Sequence, residues 1–500
     1  MRPVNELLLE YLLDPSTEFH RKYFGFAARS HSPEAMAAFR ISVEEFFTSR
    51  LDEKRALLAL DIIHYVLREN DMEGLCEMFQ FLTRKELSGD FFRTYRDHTT
   101  HQLLVFFLGC FLYEKLEGFR SLYESQHTEQ SGSDLDPLKT GFFYQWSCIA
   151  LFHDFGYFFD VHEPLLAGTA IKRADIEVSK DKRKTIAAFF RFFEGYFNSY
   201  LERQYRYWKN AHPIDSTLTL IRRFQELALP KADLPYRSHL DTRLISDLRL
   251  IGKFIGSEPV DGFDLLESFM ATHLPKASGI LGGYFEALNV RGAPYSEEYI
   301  RVWDHGIASA LIFLKVCAFG FKVTDVMDSF HPAIQKLDDA VQTVAREFEE
   351  MFSLWDYRKE VFDKTVTCSA LAMALHNLRP LANGRHFKAD RYETRDIRIF
   401  DAVEKKLFPL TPDQFFLGYL LLITDQLQDW DRYRIIRTGD LAARQTIEGR
   451  HVWINVDRNF VSIEFRGPAW VGERCMEIKR DLTLLTAEPG SFLGVEYNAT

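Results

Sequence analysis

The feature that most constrains this chain is the spacing of its apolar residues, which recur three and four positions apart over long stretches, the period of a helix with one face turned to a core. The pattern runs through residues 53–67 and 72–82, through the strongly apolar segment 97–116, and through 141–155. It continues through the basic and aromatic run 180–209 and with interruptions to about residue 275, and returns in 297–318, 325–355, 361–378 and 412–433. No alternation of strands with helices of the βαβ kind interrupts it, so the chain is predicted to be mainly α, a helical bundle. With 500 residues and 46% hydrophobic content it can bury a large core. High aromatic content, including 45 phenylalanines, is read as ring packing between long helices.

Breaks in the pattern suggest an organisation. Residues 1–95 read as a helical N-terminal layer, and 96–438 as the principal helical domain. Inside that domain, the polar stretch 124–138 (ESQHTEQSGSDLDPL) reads as a loop, as does the region of Gly279, Gly282, Gly283 and Gly292-Ala293-Pro294. Beyond residue 439 the character changes. Residues 451–456 and 460–465 alternate, are rich in Val, Ile and aromatics, and flank a short Asp-Arg-Asn turn, so a small C-terminal β-hairpin element is expected.

Composition excludes several classes. The six cysteines are widely spaced with no CxxC pair, and are read as free thiols of a reducing compartment, with a cytoplasmic location expected. The N-terminus lacks the long apolar run of a signal peptide. The longest apolar run, 102–113, falls short of the roughly 20 residues that cross a bilayer, so no membrane partner is expected. A net charge of -11 provides no general attraction to nucleic acid. There is no GxxxxGK[ST], no GxGxxG after a strand and no GxSxG elbow.

Chemistry resides in a few polar residues set in apolar helices. His153-Asp154 ends one such helix, His101 starts another, and Asp425 lies in the middle of LGYLLLITDQLQDWDR. A carboxylate in such a run costs several kcal/mol unless paired or metal-bound. Imidazole nitrogen and carboxylate oxygen together are ligands for Zn, Fe, Mn or Ni. Each residue alone has an ordinary explanation: a core histidine held by a hydrogen bond, a chance His-Asp doublet. Two further histidines, His305 and His376, sit on apolar helices between the doublet and Asp425.

The order His, His-Asp, Asp on separate helices resembles the HD superfamily of metal-dependent phosphohydrolases, over roughly residues 95–435. In that resemblance His101 matches the first histidine, His153 and Asp154 the defining doublet, Gly156 a customary glycine, and Asp425 the last aspartate. Gln428, Trp430 and Arg432 look like the polar end that follows it in some bacterial members. Members with two metals use the order His, His-Asp, His, His, Asp, which His101, His153-Asp154, His305, His376 and Asp425 reproduce. The resemblance thus implies an HD-type bundle holding two divalent transition-metal ions, with Asp154 bridging them.

It also implies a hydrolase acting on a small-molecule phosphoester or nucleotide through metal-activated water. His162 stands where one branch has a catalytic histidine. Tyr157 stands where many members carry Lys, His or Glu, and with a pKa near 10 it is a weak acid at neutral pH. His98, Lys172, Arg379 and Arg432 are candidate substrate contacts, His98 also a support for the metal ligands. Two other readings stay open: a dinuclear-iron oxygenase of the same superfamily, and a nucleotide-sensing regulatory module with a degenerate site, to which the departure at Tyr157 points.

Overall fold

The computed structural model describes residues 1–25, 32–49, 51–70, 98–128, 141–156, 362–376, 409–438, 441–486 and 492–499. It also describes single positions between these segments, Met72, Cys76, Phe79, Thr83, Ala271, Gly306, Ser309, Ala310, Phe313, Leu314 and Cys317 among them. The described residues are mostly helical, with a small four-stranded sheet formed mainly by the C-terminal part. In chain order they form β1 (Arg2–Pro3), α1 (Val4–Leu13), α2 (Glu18–Tyr23), α3 (Pro33–Thr48), α4 (Asp52–Glu69), α5 (His98–Lys115), α6 (Glu117–Thr128) and α7 (Phe142–Phe152). A π-helical turn, Phe362–Thr367, leads into α8 (Cys368–His376), followed by α9 (Phe416–Leu427). Then come β2 (Tyr433–Thr438), β3 (Leu441–Thr446), β4 (Val452–Asp457), β5 (Phe460–Gly467), α10 (Ala469–Leu485) and β6 (Leu493–Ala499).

Four helices make the centre. Every residue of α5 from His98 to Tyr113 is buried, as is all of α7 and all of α8, and in α9 every residue but Asp425. Helices apolar on all sides can be satisfied only inside a bundle. Accordingly α5 packs on α7 and α9, and α8 on α7 and α9. The N-terminal helices cover this core from outside, α4 and α1 against α5, and α3 against α4. Ser32 caps α3 by accepting the Ala35 N–H, with Pro33 at the first helical position, and Thr17 caps α2 through the His20 N–H. Glu114, at the far end of α5, accepts the N–H groups of Glu18 and Phe19 at 2.8 and 2.9 Å and the Tyr11 hydroxyl at 2.6 Å. Its charge thereby meets the positive end of α2 and ties two outer helices to the central one.

Aromatic packing fills the space between layers. Phe19 touches Tyr11, Tyr23, Phe106, Phe107 and Phe143, with ring centroids 4.7 to 6.3 Å apart. The register between α5 and α7 is set by one close approach. Trp146 lies over Gly109, where an added Cβ would fall 2.1 Å from the indole, and the indole N–H donates to the Phe106 carbonyl at 2.9 Å.

The hairpin expected at the C-terminus is present, β4 pairing antiparallel with β5 in the register Val452↔Phe465 to Asp457↔Phe460. Arg458, in the expected Asp-Arg-Asn turn, has φ +42°. The sheet extends further than alternation predicted: β6 adds parallel to β5 after α10, and the N-terminal β1 pairs with β4, giving the order β1-β4-β5-β6. A two-residue strand carries no readable alternation, and its pairing is decided by distance in space. Strand β2 starts at Tyr433, inside the stretch read as helical, because α9 stops at Leu427. Helix α6 runs to Thr128, into the segment read as loop, while residues 129–140 lie outside the described residues. Among the described residues no helix is long and apolar enough to cross a membrane. All six cysteines are buried and unpaired by disulfides.

Gly109→Ala should force α5 and α7 apart or displace the Trp146 ring. Thermal and urea denaturation are expected to show a loss of about 1–3 kcal/mol, the usual cost of overpacking. An unchanged melting curve would mean that the two helices can slide at no cost.

Candidate metal centre

The three helices α5, α7 and α9 deliver His101, the His153-Asp154 doublet and Asp425 to one buried point. His101 Nε2 lies 3.0 Å from Asp425 Oδ1, 3.3 Å from His153 Nε2 and 3.6 Å from Asp154 Oδ2. His153 Nε2 lies 3.5 Å from Asp154 Oδ1 and 3.8 Å from Asp425 Oδ1. One donor atom from each of His101, His153 and Asp154 lies within 4.8 Å of the others, a group that could hold a metal ion. His376, at the end of α8, brings Nε2 to 3.6 Å from Asp154 Oδ1, and His98, one turn before His101, brings Nδ1 to 3.2 Å from Asp154 Oδ2.

Three of the rings are held in one orientation by the backbone or by an amide. His153 Nδ1–H donates to the Ala150 carbonyl at 2.8 Å and His376 Nδ1–H to the Met373 carbonyl at 2.6 Å, each to the preceding turn of its own chain segment. His101 Nδ1–H donates to Gln428 Oε1, and the Gln428 amide is oriented by its own N–H to the Trp430 carbonyl at 2.8 Å. With Nδ1 carrying the proton in each, the Nε2 lone pairs converge on the carboxylates. Two lone pairs 3.3 Å apart on His101 and His153 repel unless a proton or a cation sits between them. The donor set therefore fits a divalent transition metal: imidazole Nε2 and carboxylate oxygen, tethered behind, converging in front.

Electrostatics agree with that fit. Burial works to raise the carboxyl of Asp154, but His153, His376, His98 and His101 outweigh it and hold it well below the usual carboxylate range. The same holds for Asp425, where burial is overcome by His101 and His153. Both carboxylates are thus charged. Burial, with the Arg432 guanidinium beside it, presses His101 down to about 4, so this ring is neutral and ready to ligate. For His153 burial favours the neutral ring, yet Asp154 and Asp425 prevail and raise it. Arg432 is itself buried, with Nη1 3.2 Å from His101 Nε2.

Beyond the ligands, the turn after α9 is wired in several directions at once. Asp429 pairs with Arg474 of α10 at 2.8 Å. Asp431, at φ +57°, accepts from Asn5 of α1 at 2.8 Å and the Gly449 N–H at 2.9 Å, and meets Arg55 of α4 at 3.1 Å. Asp tolerates this left-handed conformation better than most residues. Gly156 N–H donates to Ser309 Oγ at 2.7 Å, and Gly306 packs so closely on the last turn of α8 that a Cβ there would lie 2.6 Å from the Met373 carbonyl oxygen and 2.9 Å from His376 Nδ1.

Of the residues singled out in the sequence, His101, His153, Asp154, His376, Asp425, His98 and Arg432 come together here. Tyr157, His162, Lys172, His305 and Arg379 lie outside the described residues. Sequence reasoning had no role for Gln428 as the anchor of His101. Its position three residues after Asp425, near one helical turn on, was the available signal. Compared with protein families, curated proteins and solved structures, the chain matches none.

Two outcomes are expected. Gln428→Leu removes the acceptor that fixes His101, and should weaken metal affinity about 10- to 100-fold, measured against a competing chelator. Equal affinity would show that the amide merely fills space. Protons compete with metal for the same lone pairs, so bound metal should fall as the pH is lowered. Because His153 is raised while His101 sits at about 4, the loss should track protonation of His153 and largely precede pH 4 in a metal titration across pH 4–8. Metal uptake that holds constant down to pH 4 would contradict that order.

Proposed function

We propose that this chain is a metal-dependent hydrolase of phosphoester bonds, of the HD superfamily type, acting on a nucleotide or related small phosphoester. The observation that carries the reading is the buried meeting of His101, His153, Asp154 and Asp425 from three different helices, with His101 and His153 anchored at Nδ1 so that Nε2 faces the carboxylates. Its order along the chain is that of the superfamily. The approach of His376 to Asp154 Oδ1 supports a second ion, which His376 and Asp154 would help to hold.

A divalent ion held there supplies Lewis acidity, polarising a phosphoryl oxygen and lowering the pKa of water. The chain's own residues supply the rest. Arg432 places a permanently charged guanidinium beside His101, where it suits an anionic oxygen of the substrate. Asp425 is the ligand side chain with most exposure, 14% against 5% or less for His98, His101, His153, Asp154 and His376, so a substrate reaches the centre past Asp425. The burial of the other five excludes bulk water and strengthens each charge interaction. A complete four-donor set supports a working centre over a degenerate sensor.

Elemental analysis of protein purified without chelator should find one to two transition-metal ions per chain. Asp154→Ala should hold less than about a tenth of that, and hydrolysis of bis(4-nitrophenyl) phosphate and of nucleoside triphosphates should fall by at least about a hundredfold, more than for loss of a supporting residue. Full metal content in that variant would remove Asp154 from the centre. Iron with oxygen uptake and no phosphate release would move the chain to the oxygenase reading.

A further inference from the structure

We propose that His98 is itself a metal ligand, binding through Nδ1 an ion that it shares with Asp154 Oδ2. The proposal rests on the metal-centre reading above and extends its donor set by an imidazole that the order of motifs does not assign. His98 stands three residues before His101 on α5, hence on the same face of that helix, and is 3% exposed. Its Nδ1 lies 3.2 Å from Asp154 Oδ2.

That separation is at the long limit of an ordinary N–H···O hydrogen bond and is also the spacing of two donors on a common ion. A charge-assisted hydrogen bond from a ring N–H to a carboxylate settles at about 2.7–2.9 Å. Two donors each about 2.1 Å from a common ion stand about 3.0–3.4 Å apart in octahedral or tetrahedral geometry. The His98 spacing falls in the second range, beside the 3.0 and 3.3 Å that His101 Nε2 keeps from Asp425 and His153.

The distribution of rings about Asp154 points the same way. Oδ1 faces His153 and His376 at 3.5 and 3.6 Å, and Oδ2 faces His101 and His98 at 3.6 and 3.2 Å. Each oxygen of one carboxylate thus has two imidazoles around it, the environment of a carboxylate that bridges ions. His98 also reverses the pattern of the other rings. His101, His153 and His376 turn Nδ1 away to a carbonyl oxygen, whereas His98 turns Nδ1 inward to the carboxylate.

The test is cobalt(II) titration of metal-free full-length protein, reading bound metal per chain and the visible ligand-field bands. His98→Asn keeps an N–H donor near the Nδ1 position but has no imidazole lone pair. It should bind at least one ion about tenfold more weakly and change the visible bands. His98→Cys should add a sulfur-to-cobalt charge-transfer band in the near ultraviolet, a signature that a supporting hydrogen bond cannot produce. Wild-type affinity and bands in the first variant, with no charge-transfer band in the second, would overturn the proposal and leave the metal centre standing. A wild-type protein that takes up no cobalt would overturn both.

Discussion

Two carboxylates, the buried Asp154 and the largely buried Asp425, share a space of a few ångströms with imidazoles and one guanidinium, and the central bundle is organised around that charge balance. Neither carboxylate could be buried alone without a cost of several kcal/mol. Asp154 is kept ionised by its neighbour His153 and by rings from α5 and α8, and Asp425 by His101 and His153, so the full charge balance needs these helices docked. Functional geometry and packing are therefore one problem here. An error in helix register would leave unpaired charge in an apolar interior as well as a scattered donor set.

The register is set by contacts well away from the charges. Gly109 and Trp146 lock α5 to α7 by a close approach that no larger side chain at 109 permits, and the indole N–H takes the Phe106 carbonyl as its acceptor. Two turns along each helix this alignment puts His101 beside His153. On the other side, the short turn 428–432 distributes its polar side chains among the centre, α1, α4 and α10. Through Asp429 and Asp431 the N-terminal helices and the C-terminal unit are joined to the same few residues that orient His101 and place Arg432. The outer layers thereby support the orientation of these side chains, which a bundle of four apolar helices would leave to side-chain packing alone.

Much of this was legible in the sequence for a physical reason. Helical period and apolarity are local properties, so residues 97–116 and 141–155 announce helices close to those observed at His98–Lys115 and Phe142–Phe152. The alternation of 451–456 and 460–465 announces a hairpin for the same reason. Polar residues in apolar helices are also visible one by one, because their burial is costly unless they meet a partner. That is why His101, His153, Asp154, His376 and Asp425 could be chosen before their distances were known.

What the chain alone determined was the inventory: which segments are helical, and which buried ionisable groups must find each other. Tertiary structure alone decided the pairings. Nothing local in sequence says that the amide of Gln428 anchors His101, that His98 faces the second oxygen of Asp154, or that Arg2 and Pro3 complete a sheet with residues 453 and 454. Those partners are separated by tens to hundreds of residues, and their proximity is fixed by how the apolar faces pack, a cooperative outcome of the whole core that no window of sequence contains.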